Sequence, residues 1–361
     1  MFDLIDPARM LAGTPSSAEP LDADFRRYLL DVFELDLTQA PAVQPSEQVF
    51  DWYASVQTDH RGRLALRTVV GVSERIAKAI ERYLRDGRHE PDHPEWPGNF
   101  LDRCRRGHEE LVSALVDEVR RRAMGRKHAA VPHDLDLVAW TRRKVTPMVE
   151  GLFPAVEREP VLKLLEKSVV FLTAANIETV LREQSWLHSA WDLANLYLSS
   201  VEADLLGPEA PSLLGLSQET TCYVSADYFA DDARFADYVI HEAAHVFHNC
   251  KRSTAGLPET RTREWLLLLE FRKRETFAYS CEAYGWMVEH SRSRRERIAM
   301  GQEFAKSSGR FADEQVDPAE LASIVTEACD ARNGWKVILK RCAAERKRRR
   351  DVSAMLTQAN R

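Results

Sequence analysis

Two histidines four residues apart, with a glutamate directly after the first, are the residues of this sequence best suited to chemistry. They are His241, Glu242 and His245, in the segment DYVIHEAAHVFHNC at 237–250. On a helix, positions i and i+4 lie on one face, so both imidazoles can point at one metal ion. Glu242 lies beside that face, where its carboxylate can serve as a general base. The spacing therefore predicts a metal centre that includes its own base.

A catalytic zinc site needs a third protein ligand, and the sequence offers carboxylates for it. The segment after His245, VFHNCKRST, lacks the glycine and the histidine of the pattern HExxHxxGxxH. The stretch FRKRETFAYSCEAYGWM at 271–287 contains Glu275 and Glu282 instead. Glu275 is the first choice as ligand, Glu282 the second, and Glu270 the third. Zinc is the default metal for two histidines and a carboxylate, although iron accepts the same ligands.

Three further polar side chains near this pattern are candidates for a role in the reaction. Tyr279 and Tyr284 are candidate catalytic residues, because a phenol can polarise a carbonyl group or stabilise an oxyanion. Each could instead be a core residue with a hydrogen-bonded hydroxyl group. His248 lies one turn after His245 and could support the site, stabilise an oxyanion, or merely end the helix.

HEAAH followed by ETFA on a second helix resembles the gluzincin branch of the zincin metallopeptidases. The resemblance covers roughly residues 165–290. It implies that His241, His245 and Glu275 bind zinc and that Glu242 activates a zinc-bound water molecule. It also implies a small sheet whose edge strand lies above the active helix and holds an extended substrate.

Helical periodicity dominates the chain, and two short segments have the composition of strands. The candidate strands are SVVFLT at 168–173 and a segment within ETTCYVSADYF at 219–229. TTCYVS at 220–225 is where the resemblance places the edge strand. Asp231 and Asp232 are candidate caps of the active helix. The expected helices lie near 23–35, 47–57, 72–86, 99–124, 135–150, 175–204, 262–290, 294–307, 317–331 and 334–350.

Composition and periodicity predict an α+β fold that is predominantly helical. A loose segment, rich in Pro, Ser and Ala, occupies residues 1–22. A helical N-terminal domain is expected over 23–160, and a zincin-like metallopeptidase domain with a small sheet and C-terminal helices over 161–361. Segments rich in proline and glycine at 87–98 and 207–218 are expected to be loops.

The overall composition restricts the classes of function. The chain has 361 residues and a net charge of −6, so the whole molecule is not a polyanion binder. No apolar run approaches the roughly 18–20 residues that cross a bilayer. The six cysteines form no CxxC pair, and the N-terminus lacks a secretory signal pattern. A cytoplasmic protein without membrane contacts is therefore expected.

These features predict a zinc metallopeptidase that hydrolyses peptide bonds in a protein or peptide substrate. One alternative is a binding or regulatory protein that keeps the zincin scaffold without catalysis, although such a protein would not need Glu242. The other is a helical factor that contacts nucleic acid through the basic run ERKRRRD at 345–351. The acidic net charge disfavours this last hypothesis, so nucleic acid is not an expected partner. The sequence does not predict the oligomeric state.

Overall fold

The computed structural model describes residues 69–90, 96, 98–127, 130–208, 210, 213–230, 233–260, 262–307 and 315–344. Helices predominate in these ranges, so the prediction of a mainly helical α+β protein is confirmed. The helices are α1 (Val69–Asp86), α2 (Phe100–Ala123), α3 (Leu137–Leu152), α4 (Ala155–Leu165), α5 (Ile177–Glu183), α6 (Leu187–Ser200), α7 (Tyr238–Asn249), α8 (Arg274–His290), α9 (Arg294–Ser307), α10 (Pro318–Asp330) and α11 (Gly334–Cys342). Within the described ranges, no helix is both long and apolar enough to cross a membrane.

The chain divides into two compact units, which are residues 1–78 with 92–106 and residues 79–91 with 107–361. The second unit contains HEAAH in α7, together with a buried apolar core. Helix α3 and the first half of α4 fall in the range predicted for a separate N-terminal domain, yet both helices contribute side chains to this core. Phe153, directly after α3, packs its ring against that of Phe247 in α7, with the centroids 5.1 Å apart. The helices that support the HEAAH segment therefore include α3 and α4.

A three-stranded sheet lies beside α7. Its strands are β1 (Val169–Leu172), β2 (Gly215–Gln218) and β3 (Thr221–Ser225), in the order β1-β3-β2. β1 is parallel to β3, and β2 is antiparallel to it. TTCYVS is thus the central strand, so its prediction as the edge strand is wrong. The edge strands are β1 and β2, and β2 lies within the stretch that was predicted to be a loop. Its side chains are only partly buried, so it lacks the apolar run that marks a strand.

The helix predicted over 175–204 is two helices. α5 ends at Glu183 and α6 begins at Leu187, with extended backbone at Gln184 between them. The buried side-chain amide of Gln184 donates to the carbonyl group of Val180 in the last turns of α5. A side chain that satisfies a helix end in this way stabilises the break.

The helix predicted over 262–290 begins only at Arg274, after a short 3₁₀ turn. The apolar run before it, WLLLLEF, lies beside the end of α7. Leu266 and Leu267 donate backbone hydrogen bonds to carbonyl groups of Cys250 and Phe247. The apolar spacing of this run therefore reflects the packing of a non-helical segment against α7.

The remaining helix predictions differ little from the structure where it describes them. Helices were predicted correctly, within a few residues, at α1, α2, α3, α9 and α10. α4 was not predicted, and α11 ends at Cys342 rather than near residue 350. The segments that lie outside the described residues are the predicted helices at 23–35 and 47–57 and the basic run at 345–351.

Candidate metal centre

Helix α7, which carries HEAAH, begins at Tyr238. Its cap is Asp237, whose carboxylate accepts the backbone N–H of Ile240. The predicted caps, Asp231 and Asp232, lie outside the described residues, and the helix begins only at Tyr238. Its apolar face is fully buried in the core. The opposite face, which carries the histidines, lines a cavity of about 900 Å³.

Helices α7 and α8 bring three potential ligand atoms together at this cavity. The Nε2 atoms of His241 and His245 are 3.1 Å apart. Oε2 of Glu275 lies 3.4 Å from Nε2 of His245 and 3.8 Å from Nε2 of His241. An ion about 2.0 Å from all three atoms, the usual length of zinc–nitrogen and zinc–oxygen bonds, fits a triangle of this size. Among the described residues, no other group of three or more His, Cys, Asp or Glu has the geometry to hold a metal.

Glu282, the second choice as ligand, contacts the other nitrogen of the first histidine. Its Oε2 lies 2.9 Å from Nδ1 of His241, and its Oε1 accepts the backbone N–H of Asp237 at 3.0 Å. A carboxylate in this position keeps a proton on Nδ1 and leaves Nε2 free for a metal. Glu270, the third choice, is exposed, and its backbone N–H donates to Cys342. The geometry therefore favours Glu275 as the ligand and gives Glu282 the task of orienting His241.

The second histidine is oriented by a neutral residue. Nδ1 of His245 lies 3.0 Å from Nε2 of His248, whose own Nδ1 lies 2.9 Å from Oδ1 of Asn249. Burial foremost, together with the nearby Arg274 guanidinium group, lowers the pKa of His248 to about 3. A neutral His248 can accept the Nδ1 proton of His245 and donate its own Nδ1 proton to Asn249. His245 then also presents an unprotonated Nε2 to the cavity.

Helix α3 supports this arrangement through Lys144. Its ammonium nitrogen lies 2.8 Å from Oδ2 of Asp237 and also pairs with Glu289. The Tyr228 hydroxyl donates to the other oxygen of Asp237, at 3.2 Å. Burial opposes the charge of Lys144, but these partners, Asp237 foremost, raise its pKa. The backbone N–H of Asp237 in turn donates to Glu282, whose other carboxylate oxygen contacts His241. A chain of contacts therefore runs from α3 to His241. The sequence carries no local sign of it, because Lys144 lies far from HEAAH along the chain.

The carboxylates Glu275 and Glu282 stabilise positive charge at the candidate metal centre. Burial alone would lower the pKa of His241, but its hydrogen bonds to Glu275 and Glu282 raise that pKa well above its ordinary value. Burial alone would raise the pKa of Glu275, yet both histidines hold it well below its ordinary range. Opposite charges at such short distances favour the charged forms. The same field would attract a metal cation.

Glu242 lies in the cavity but outside the triangle of ligand atoms. It is 6% exposed, and the hydroxyl group of Ser217 in β2 donates to its carboxylate. Burial raises the pKa of Glu242, although the charges of His241 and His245 oppose the shift. A general base is most effective when its pKa lies near the working pH, so the shift suits that role.

Gly215 makes room for this side chain, since a Cβ atom there would lie 2.5 Å from Oε1 of Glu242. The sequence analysis missed this contact, because it assigned Gly215 to a loop rather than to a strand, where a glycine permits close approach.

The two candidate tyrosines have different surroundings. Tyr279 lines the cavity, with its ring centroid 4.5 Å from that of His241. Tyr284 is buried in the core, where its ring packs on Trp335 and its hydroxyl accepts the backbone N–H of Gly334. Five residues along a helix correspond to a rotation of about 140° beyond one full turn, which turns Tyr284 away from Tyr279. The structure therefore brings Tyr279 to the cavity but not Tyr284, whose predicted catalytic role gains no support from it.

No protein-family model, curated protein or solved structure matches this chain. The resemblance to gluzincins therefore stays a prediction that rests on HEAAH, on ETFA and on the geometry of their side chains.

Replacement of Glu282 by glutamine is expected to weaken zinc binding about 10–100-fold without abolishing it, as is typical of residues that orient a ligand. Glutamine keeps the shape of the side chain but loses the charge that stabilises His241. Competition with a chromophoric chelator measures the dissociation constant. The matched control is Glu270→Gln, which changes the same residue type at an exposed position outside the cavity and should bind zinc like the wild type. Complete loss of zinc from Glu282→Gln would instead identify Glu282 as a ligand.

Proposed function

We propose that the protein is a zinc-dependent metallopeptidase that hydrolyses peptide bonds in a protein or peptide substrate. The observation that carries this proposal is a group of three ligand atoms with a separate buried carboxylate, Glu242, in the same cavity. Structural zinc sites are usually closed by four protein ligands, whereas catalytic sites have three and an open position. Among the described residues, only three side chains form the candidate group. A structural site or a non-catalytic scaffold would also have no need of a buried base.

Each side chain of the site has a defined task in this proposal. His241, His245 and Glu275 would hold the ion. Bound zinc supplies a Lewis acid that polarises the scissile carbonyl group and lowers the pKa of a water molecule towards neutrality. Glu242 takes a proton from the attacking water molecule and delivers it to the leaving amine. The hydroxyl group of Tyr279 is a candidate donor to the carbonyl oxygen as negative charge develops there.

Strand β2 offers a binding surface for an extended substrate. It is an edge strand of the sheet, paired with β3 on one side only, and its residues Gly215–Ser217 line the cavity. An extended peptide can add to such an edge through main-chain hydrogen bonds. This arrangement would hold the scissile bond beside Glu242, because Ser217 and Gly215 both contact that side chain.

The Gly215→Ala variant is expected to lose hydrolytic activity by about 10²-fold, the effect of a misplacement of roughly 1 Å in an active site. The added methyl group occupies the space of the Glu242 carboxylate and displaces the base. Steady-state kinetics and zinc content should be measured together, since zinc binding does not involve this contact. Wild-type activity in Gly215→Ala would show that Glu242 does not act from the observed position.

The function itself is tested with the purified zinc-loaded chain and a mixed library of unlabelled peptides, with the products identified by mass spectrometry. The proposal predicts cleavage products that disappear when zinc is removed by a chelator and return when zinc is added. The same products should be absent with the Glu242→Gln variant, which excludes a contaminating protease. A library that stays intact under all conditions would contradict the proposal.

A further inference from the structure

Three consecutive basic residues, Arg272, Lys273 and Arg274, precede the candidate ligand Glu275. The fold accounts for the middle one, because Nζ of Lys273 lies 2.8 Å from Oε1 of Glu320. Both arginines line the cavity of the candidate metal centre. Arg272 is exposed, and it forms no ion pair with any residue in the described part of the chain. Its charge therefore has no evident role in holding the fold together.

The second arginine is held against an aromatic ring at the same cavity. The guanidinium carbon of Arg274 lies 4.9 Å from the ring centroid of Phe271, a distance that permits a cation–π contact. Phe271 is 69% exposed although it is large and apolar, and it also lines the cavity. Leu214, which precedes strand β2 and lines the cavity too, is 41% exposed. The cavity thus combines fixed positive charge with exposed apolar side chains.

The balance of charge in the cavity favours an anionic ligand once a metal is bound. Among the described residues, the carboxylates that line it belong to Glu242, Glu275 and Glu282. The last two contact the histidines of the centre. A divalent cation and two arginines would together outweigh these carboxylates. With the metal bound, this local excess of positive charge would contrast with the net charge of −6 for the chain.

We propose, on the basis of the peptidase function above, that Arg272 and Arg274 bind a carboxylate group of the substrate close to the scissile bond. The planar guanidinium group matches a carboxylate with two parallel hydrogen bonds, which are stronger when both partners are charged. Phe271 and Leu214 would contact apolar parts of the same peptide. The substrates are therefore peptides with an acidic group in reach of the cavity. This group is either an Asp or Glu side chain or the C-terminal carboxylate.

The experiment compares matched peptides that share one cleavage site found with the library. One set carries Glu or Gln near that site with an amidated C-terminus, and another carries Gln throughout with a free or an amidated C-terminus. The enzymes are the zinc-loaded wild type, Arg272→Glu and the control Arg295→Glu. Arg295 is exposed on α9 and outside the cavity, so it undergoes the same change of charge away from the site. The quantity measured is kcat/KM.

The wild type and Arg295→Glu are expected to prefer one acidic peptide over its neutral counterpart by about tenfold or more, the scale of a charge-assisted hydrogen bond. Arg272→Glu should remove or reverse that preference while it still cleaves neutral peptides. The set in which the preference occurs distinguishes an acidic side chain from the C-terminal carboxylate. Glu242-dependent cleavage without acidic preference, or with a preference unchanged in Arg272→Glu, would overturn this inference and leave the peptidase function standing. No Glu242-dependent cleavage of any peptide would overturn both.

Discussion

We expect the Glu242→Gln variant to hydrolyse peptides about 10²–10⁴-fold more slowly than the wild type, the usual contribution of a general base. Glutamine has nearly the same shape and can still accept the hydrogen bond from Ser217, but it cannot take a proton from water at neutral pH. Zinc affinity should be unchanged, because the three candidate ligand atoms belong to His241, His245 and Glu275. The rate and the zinc content of one preparation are the two measurements.

Stability gives a second test of the same substitution. Burial raises the pKa of Glu242, which means that the charged carboxylate is disfavoured in the folded protein. A neutral glutamine should therefore leave the free energy of unfolding unchanged or slightly higher. Glu270→Gln, at an exposed position outside the cavity, is the matched control and should keep full activity. Loss of zinc together with activity in Glu242→Gln would make Glu242 a ligand rather than a base.

The Glu157→Ala variant is expected to lower the free energy of unfolding by about 3–5 kcal/mol, the cost of removing one partner of a buried ion pair. Glu157 in α4 accepts two hydrogen bonds from Arg252, at 2.9 and 3.2 Å. The Arg252 side chain is 2% exposed, and Arg252 lies shortly after Asn249, the last residue of α7. Its Nε–H also donates to the carbonyl group of Pro258, a neutral partner that does not balance its charge. Without Glu157 the guanidinium group stays buried and lacks its counter-charge. Urea denaturation measures the effect.

Arg263 provides the control for this ion pair. It also contacts both oxygens of Glu157, but its side chain is 50% exposed. Pairs of this exposed kind contribute up to about 1 kcal/mol, so Arg263→Ala should cost little. If Glu157→Ala were no less stable than Arg263→Ala, the buried pair with Arg252 would not be a main support of the chain that leaves α7.

The parts of the site that sequence could predict are those that helix geometry places together. His241 and His245 are one turn apart on a single helix, so local spacing alone brings their nitrogen atoms close. Glu275 was chosen because it shares a helical face with Tyr279 and Glu282, and because ETFA resembles the gluzincin pattern. The structure brings its carboxylate to both histidines. The same geometry turns Tyr284 away from Tyr279, and the structure packs its ring on Trp335 instead.

The parts that sequence could not predict depend on contacts between distant segments. Strand β2 has little apolar character of its own, and it is a strand because β3 pairs with it. The apolar spacing of WLLLLEF fits a helix as well as a segment that packs along α7, and only tertiary contacts decide between the two. Lys144 and Asp237 meet through the packing of α3 against the start of α7. None of these contacts leaves a periodic signal in the chain.

Zinc content of the purified chain tests the central claim most directly, by plasma mass spectrometry on the wild type beside His245→Ala and Glu275→Ala. Circular dichroism should establish that both variants are folded, and Glu270→Ala serves as the control. The three-ligand site predicts about one zinc ion per wild-type and control chain and its loss from both ligand variants. Zinc kept in Glu275→Ala would assign the third ligand to Glu282. A wild-type chain that binds no zinc even after zinc is added would contradict the metal centre and, with it, the proposed peptidase.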